Sequence, residues 1–171
     1  MITRILGIDP GYQNTGFGIV DFEGNHLRHV RHGVIRVSGE DVGMKLHAIF
    51  SGLEALLAEL TPAEMAIERV FVHKNADSAL KLGQARGAAI TACAGQGLAV
   101  YEYTPNQVKL AIVGRGHAGK QQVQHMVKVL LCLPEVPQAD AADALAIAIC
   151  HGHSRQGLQR QARAAGLRGQ P

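Results

Sequence analysis

No stretch of this sequence approaches the roughly 18 consecutive apolar residues that a membrane-spanning helix needs. The apolar opening from Met1 to Ile8 is too short for a secretory signal core, and Asp9 interrupts it at once. The expectation is a protein neither secreted nor bound to a membrane. Cysteine is also scarce. Cys93, Cys132 and Cys150 are odd in number, far apart and free of any CxxC pair, which argues against a disulfide framework or a structural zinc. A reducing cytoplasm is the expected compartment. No internal repeat marks a solenoid.

What is present is enough apolar material for one packed core: 47% hydrophobic residues over 171, with a charged fraction of 18%. Such a chain can offset its conformational entropy, so wholesale disorder is excluded. After His153 the composition turns rich in Gly, Arg and Gln with little periodicity. Residues 1–153 are therefore expected to form a single domain, and 154–171 a basic, disordered tail.

Charge is unevenly divided. Residues 1–104 carry 9 Lys and Arg against 11 Asp and Glu, whereas residues 105–171 carry 8 against 3. Between Tyr103 and Pro134 lie Lys109, Arg115, Lys120 and Lys128 with no acid, and the tail adds four arginines. Both stretches could meet a polyanion, or simply be solvated surface.

The segment ITRILGID ends at Pro10-Gly11, and TGFGIVDF runs into the turn signal Glu23-Gly24-Asn25. With a third strand around Leu27 to Val37 these predict an antiparallel meander. From Val42 to Leu60, apolar residues recur at three and four, a helix stopped by Thr61-Pro62. A short strand at Met65 to Glu68, a helix from Ala76 to Cys93 and a strand at LAVYEY follow. Helices are then predicted over Asn106 to Val113, Lys120 to Leu131 and Ala139 to Cys150. The pattern predicts an α/β fold, a five-stranded mixed sheet flanked by helices.

Four acids sit in apolar surroundings where a lone carboxylate would be costly: Asp9 in GIDPG, Glu68 in MAIER, and Asp140 and Asp143 in QADAADALAIAI. Asp9 and Glu68 each end a strand, so neighbouring strands could present them side by side. Asp140 and Asp143, three apart, share one helix face. Singly, a turn residue or a helix cap would explain each aspartate. Together, without obvious cationic partners in sequence, they have the character of a hard-cation site. Mg²⁺ takes such oxygen ligands, and two ions about 4 Å apart would clamp both oxygens of a phosphodiester displacement.

GIDPG with the following TGFG, then AIERVF, HKNADSALKLGQARG, YTPNQVK, GKQQVQHMV and LPEVPQADAADALAIAI resemble, in order, the blocks of the RuvC family of Holliday junction resolvases. The resemblance covers about residues 4 to 153. It implies an RNase H-like fold, a homodimer, and cleavage of four-way DNA junctions in recombination and repair. It also implies two Mg²⁺ per active site, with Mn²⁺ as a substitute, and cooperation with the RuvA and RuvB branch-migration proteins. By motif position Asp9, Glu68, Asp140 and Asp143 would be the ligands, Asp9 between the two metals. Some relatives carry histidine at the position of Asp143. A metal-activated water would attack the phosphodiester and leave 5′-phosphate and 3′-hydroxyl ends.

The same resemblance gives Lys109 and Lys120 to phosphate contacts, with Lys120 near the scissile group. Phe71 matches an aromatic residue thought to stack on a junction base, and its neighbours His73 and Lys74 point to an exposed loop touching DNA. Asn75, Ser78 and Arg86 are further candidate DNA contacts. Gly83, Gly87, Ala79 and Ala89 could let their helix pack closely on a dimer partner.

Four other readings compete. GRGHAGK at 114–120 has Walker A spacing, but Gln121 stands where Ser or Thr would hold Mg²⁺, and a helix precedes it. DPGYQNTGFG is similar to the first phosphate loop of actin-like ATPases, which need a second domain and a second such loop. A non-catalytic DNA-binding module would use the basic stretches but leave the four acids unexplained. A zinc site from Cys150, His151 and His153 matches no familiar spacing.

Overall fold

A computed structural model describes residues 1–69 and 75–164. Its strands are β1 (Thr3–Asp9), β2 (Asn14–Glu23), β3 (His26–Arg36), β4 (Glu64–Glu68) and β5 (Ala99–Tyr103). The helices are α1 (Val42–Leu60), α2 (Ala76–Gly95), α3 (Pro105–Val113), α4 (Lys120–Leu130) and α5 (Ala139–Ala164). The sheet runs β3-β2-β1-β4-β5, with β1 antiparallel to β2, β2 antiparallel to β3, and β1, β4 and β5 parallel. This is the expected mixed sheet.

Alternation along the strands divides the core into two layers. Leu6, Ile8, Phe17, Ile19, Met65 and Ile67 face α1 and α2, where they meet Ile49, Leu53, Ala85 and Ala89. Ile5, Val20, Phe22, Ala66 and Tyr103 face α3, α4 and α5, packing on Val108, Val123, Leu145 and Ile149. Asp21, only 3% exposed, is held by Arg4 through contacts of 2.7 and 3.0 Å and by Arg28 at 2.6 Å. The Arg4 hydrogen bond is the main reason its carboxyl titrates below the usual range.

α5 lies unusually close to the sheet because glycine floors its path. Gly7 and Gly18 are direct cross-strand partners, and Asp9 pairs with Gly16. A methyl group on Gly7 would lie 2.0 Å from the Ala144 carbonyl oxygen, and one on Gly16 2.1 Å from that of Asp140. The far end of the contact is polar. His151, fully buried, bonds to the Tyr103 hydroxyl at 2.7 Å and to Glu64 at 2.7 Å, and Arg155 reaches the same Glu64 at 2.8 Å.

Most element boundaries agree with the sequence to within one or two residues; α5 does not. It continues past Cys150 and His153 to Ala164, through part of the segment expected to be disordered. The residues added contain no proline and are mostly Ala, Arg and Gln, which extend an existing helix at little cost. Ser154 and Arg155 also anchor the extension, to the Cys150 carbonyl and Glu64.

Because neither facing carbonyl can move without lifting α5, Gly7→Ala and Gly16→Ala should each destabilise the fold by about 1–3 kcal/mol or more. Urea denaturation of the purified variants measures this, and wild-type midpoints would show that α5 is not seated on the glycines.

Candidate active site

Parallel pairing of β1 with β4 aligns Ile8 with Ile67, so Asp9 and Glu68 follow side by side at the carboxyl ends of two adjacent strands. Across β1, Asp9 is opposite Gly16, whose missing side chain admits the first turn of α5. That turn carries Asp140, and Asp143 follows one turn on. The helix and two strands thus bring Asp9, Glu68 and Asp143 to one cavity, with Asp140 near enough for its charge to act on Asp9 while its side chain lines a neighbouring groove.

Asp9 is the most perturbed of the four acids. Its carboxyl is pushed up to about 7, first by desolvation and then by the charges of Asp143, Glu68 and Asp140, with Lys120 opposing. Glu68 is also raised, mainly by desolvation and then by Asp143, while Lys109 and Lys120 pull it down. Two carboxylates are therefore held in a setting that resists their ionisation. Such a setting is costly to the fold alone and favours a bound cation.

Asp9, Glu68, Asp143, Lys109 and Lys120 line one cavity of about 210 Å³. Lys109 comes from α3, which starts with Thr104 and Gln107 in a reciprocal capping box. Lys120 opens α4, where the helix dipole disfavours a cation. Its ammonium is compensated by Asp143 at 2.9 Å, and that hydrogen bond raises its pKa. The sequence expectation that the four acids lack a cationic partner is thus corrected for Asp143, because α4 and α5 meet only in the fold. GRGHAGK spans the connection between α3 and α4, with a helix before it as the sequence indicated.

The other candidates fall in different places. Phe71 and Lys74 lie outside the described residues. Asn75 caps α2, its side-chain oxygen accepting from the Asp77 and Ser78 amides at 3.0 and 3.2 Å. Ser78 faces a separate groove beside Asp140. Arg86 is committed to the scaffold: it pairs with Glu102 and donates to the Glu68 carbonyl at 3.3 Å. It tethers the end of β4, a role that sequence spacing cannot reveal because Glu102 is on β5. Ala89 is buried in the core, whereas Gly83 and Gly87 look into open space.

The donor set is all oxygen, which suits a hard divalent cation. Among the described residues no three His, Cys, Asp or Glu side chains converge tightly enough to enclose a metal. A cation of the Mg²⁺ type does not need such a cage, since it keeps several waters and takes only one or two carboxylates. The crowding that raises Asp9 is the observation that favours it. Cys150 and His151 are buried, and both ring nitrogens of His151 are engaged, so they form no zinc site.

Comparison with known proteins gives a consistent result. The family model described as "Crossover junction endodeoxyribonuclease RuvC" matches residues 5–151. A crossover junction endodeoxyribonuclease RuvC of Marinobacter nauticus is 55% identical over 162 residues, covering 95% of this chain and 93% of the relative. That of Shewanella oneidensis is 54% identical over 90% of this chain and 89% of the relative. Among solved structures, Thermus thermophilus RuvC in complex with Holliday junction substrate is similar, with a TM-score of 0.84 and 36% identity. It covers 91% of this chain and 96% of that one.

Raising Asp9 from 3.8 to about 7 means that the folded state keeps a proton the unfolded state has released between those values. Without metal, wild-type stability should therefore fall as pH rises from about 4 to 7 and then level off. Asp9→Asn removes this penalty. In EDTA it should be the more stable protein at pH 8, by at most about 4 kcal/mol, and lose that advantage near pH 4. Urea titrations at the two pH values measure the difference, and equal stability throughout would contradict the crowding.

Proposed function

The chain belongs to the RuvC family of crossover junction endodeoxyribonucleases, and on that premise we propose how this Holliday junction resolvase uses the site just described. The observation that carries the reading is the convergence of Asp9, Glu68, Asp140 and Asp143 at one end of an RNase H-like sheet, with the Asp9 carboxyl displaced to about 7. Residues 1–153 serve as the nuclease domain. The four acids hold Mg²⁺, two ions per site with Mn²⁺ as a substitute, and the substrate is a four-way DNA junction like the one bound by the Thermus relative.

Bound there, the cation would lower the pKa of the attacking water and neutralise charge on the scissile phosphate. The chain's own groups do the rest. Asp9 and Glu68, fixed by strand ends and by the Arg86 tether, set where the phosphate can sit. Lys109 neutralises a neighbouring phosphate. Lys120 faces the charge that develops on the phosphoryl oxygens, and Asp143 orients its ammonium until substrate arrives. The apolar wall of Val108, Val123 and Ile147 limits water around these charges.

Two symmetric nicks require two sites, so the functional unit is a homodimer on a two-fold junction. The open face of α2 supports this: Leu80 is 62% exposed beside Gly83 and Gly87. RuvA and RuvB supply branch migration before the cut. The protein acts on DNA in the cytoplasm; no described helix is long and apolar enough to cross a membrane. The ATPase and non-catalytic readings receive no support from the family match.

An end-labelled immobile junction incubated with Mg²⁺ or EDTA, beside linear duplex and ATP controls, tests the proposal. Paired Mg²⁺-dependent nicks with religatable ends are expected. Binding without cleavage, or ATP hydrolysis alone, would overturn it. Asp9→Asn and Glu68→Gln should keep junction affinity and abolish cleavage, while Lys120→Ala should lower the cleavage rate about 10²- to 10³-fold. Joint loss of binding and cleavage would assign the acids to folding.

A further inference from the structure

Asp140 borders a second depression that the site above does not use. This groove, about 480 Å³, is lined by Tyr12 of the β1–β2 connection, Asn14 at the start of β2, Lys45 of α1, Ser78 and Lys81 of α2, and Asp140. The Lys109 and Lys120 cavity lies on the α3, α4 and α5 face of the sheet. The groove lies toward the opposite face, where α1 and α2 pack. Asp9 lines the first cavity, and Gly11 and Asp140 line the second, so the acids stand between the two.

The groove has the chemistry of a nucleotide track. The Lys45 ammonium sits 4.9 Å from the centroid of the Tyr12 ring, so an aromatic face and a cation are presented together. Base stacking on such a ring is tolerant of sequence, and the amine can follow the backbone. Lys81 is paired with Asp77 at 2.7 Å, but both side chains are largely exposed. An exposed pair of that kind is worth at most about 1 kcal/mol, so a phosphate can recruit the Lys81 ammonium at little cost. Three separate chain segments supply these groups, which no single helix face would do. Ser78 adds a hydroxyl donor at the rim.

Building on the resolvase reading, we propose that Tyr12, Lys45 and Lys81 form a second DNA-strand site that holds the nucleotides flanking the cut on the side away from Lys109 and Lys120. Tyr12 stacks on a base and the two lysines each neutralise one phosphate. The site positions the scissile phosphate over the carboxylates and does not take part in the chemical step.

The test uses full-length protein and a labelled immobile junction in EDTA, with affinity measured across a salt series. Lys45→Ala with Lys81→Ala should weaken binding about tenfold or more and reduce the log–log salt slope by about 2. Tyr12→Leu should weaken binding at every salt concentration, and Tyr12→Phe should restore it. Junctions carrying methylphosphonate at single positions flanking the cut supply a local readout. Wild type should lose affinity at one or two of these positions, and the double variant should be indifferent to the same changes, a coupling that general destabilisation would not produce. Unchanged affinity and slope in the double variant, with normal wild-type binding, would overturn the groove alone. Wild type that prefers no junction over duplex would overturn the resolvase reading and the groove with it.

Discussion

The backbone approach of α5 to β1 and β2 is the constraint on which the rest depends. A helix can touch a sheet at this distance only where side chains are absent, and Gly7, Gly16 and Gly18 provide the gap. The contact places Asp140 over the end of β1 and one turn later brings Asp143 to Lys120. Leu145, Ile147 and Ile149, all fully or nearly fully buried, hold the middle of the helix. His151, Glu64, Tyr103 and Arg155 lock its far side. Stability of the helix and placement of two carboxylates are therefore one property of the fold.

The price of that placement is electrostatic. Four acids gathered at the end of a sheet repel one another and lose hydration, and Asp9 carries most of the consequence. Lys120 offsets part of it at Asp9, and Lys109 and Lys120 do so at Glu68. A site arranged in this way is relieved by a divalent cation, whereas an anion alone would add to the repulsion. The scaffold opposes collapse of the arrangement by tethering the Glu68 main chain through Arg86 and Glu102.

Much of this is legible in the sequence alone. Apolar runs, periodicity and turn signals predict each described strand and helix, apart from the end of α5, and Asp9 and Glu68 stand out as acids at the ends of apolar strands. Asp140 and Asp143 do so by sharing a helix face. What escaped was set by long-range pairing. The Arg4–Asp21–Arg28 cluster, the Arg86 tether and the Lys120–Asp143 pair join segments that no local pattern relates. Arg86 and Asn75, expected as DNA contacts, also serve as a tether and a helix cap. Tyr12, Lys45 and Lys81 are individually ordinary surface residues, and only their convergence gives them meaning. The sequence pattern stops α5 at Cys150, short of Ala164, because helix continuation through Arg- and Gln-rich sequence leaves no apolar period.

The central claim, that crowded carboxylates await a divalent cation, has a direct measurement in calorimetric titration of the protein with Mg²⁺ near pH 7 in two buffers of different ionisation enthalpy. Because ligands must be deprotonated to bind, the account predicts saturable binding accompanied by release of a fraction of a proton from wild type, and loss of that release in Asp9→Asn. Saturable binding with no proton release, or no binding at all, would contradict it.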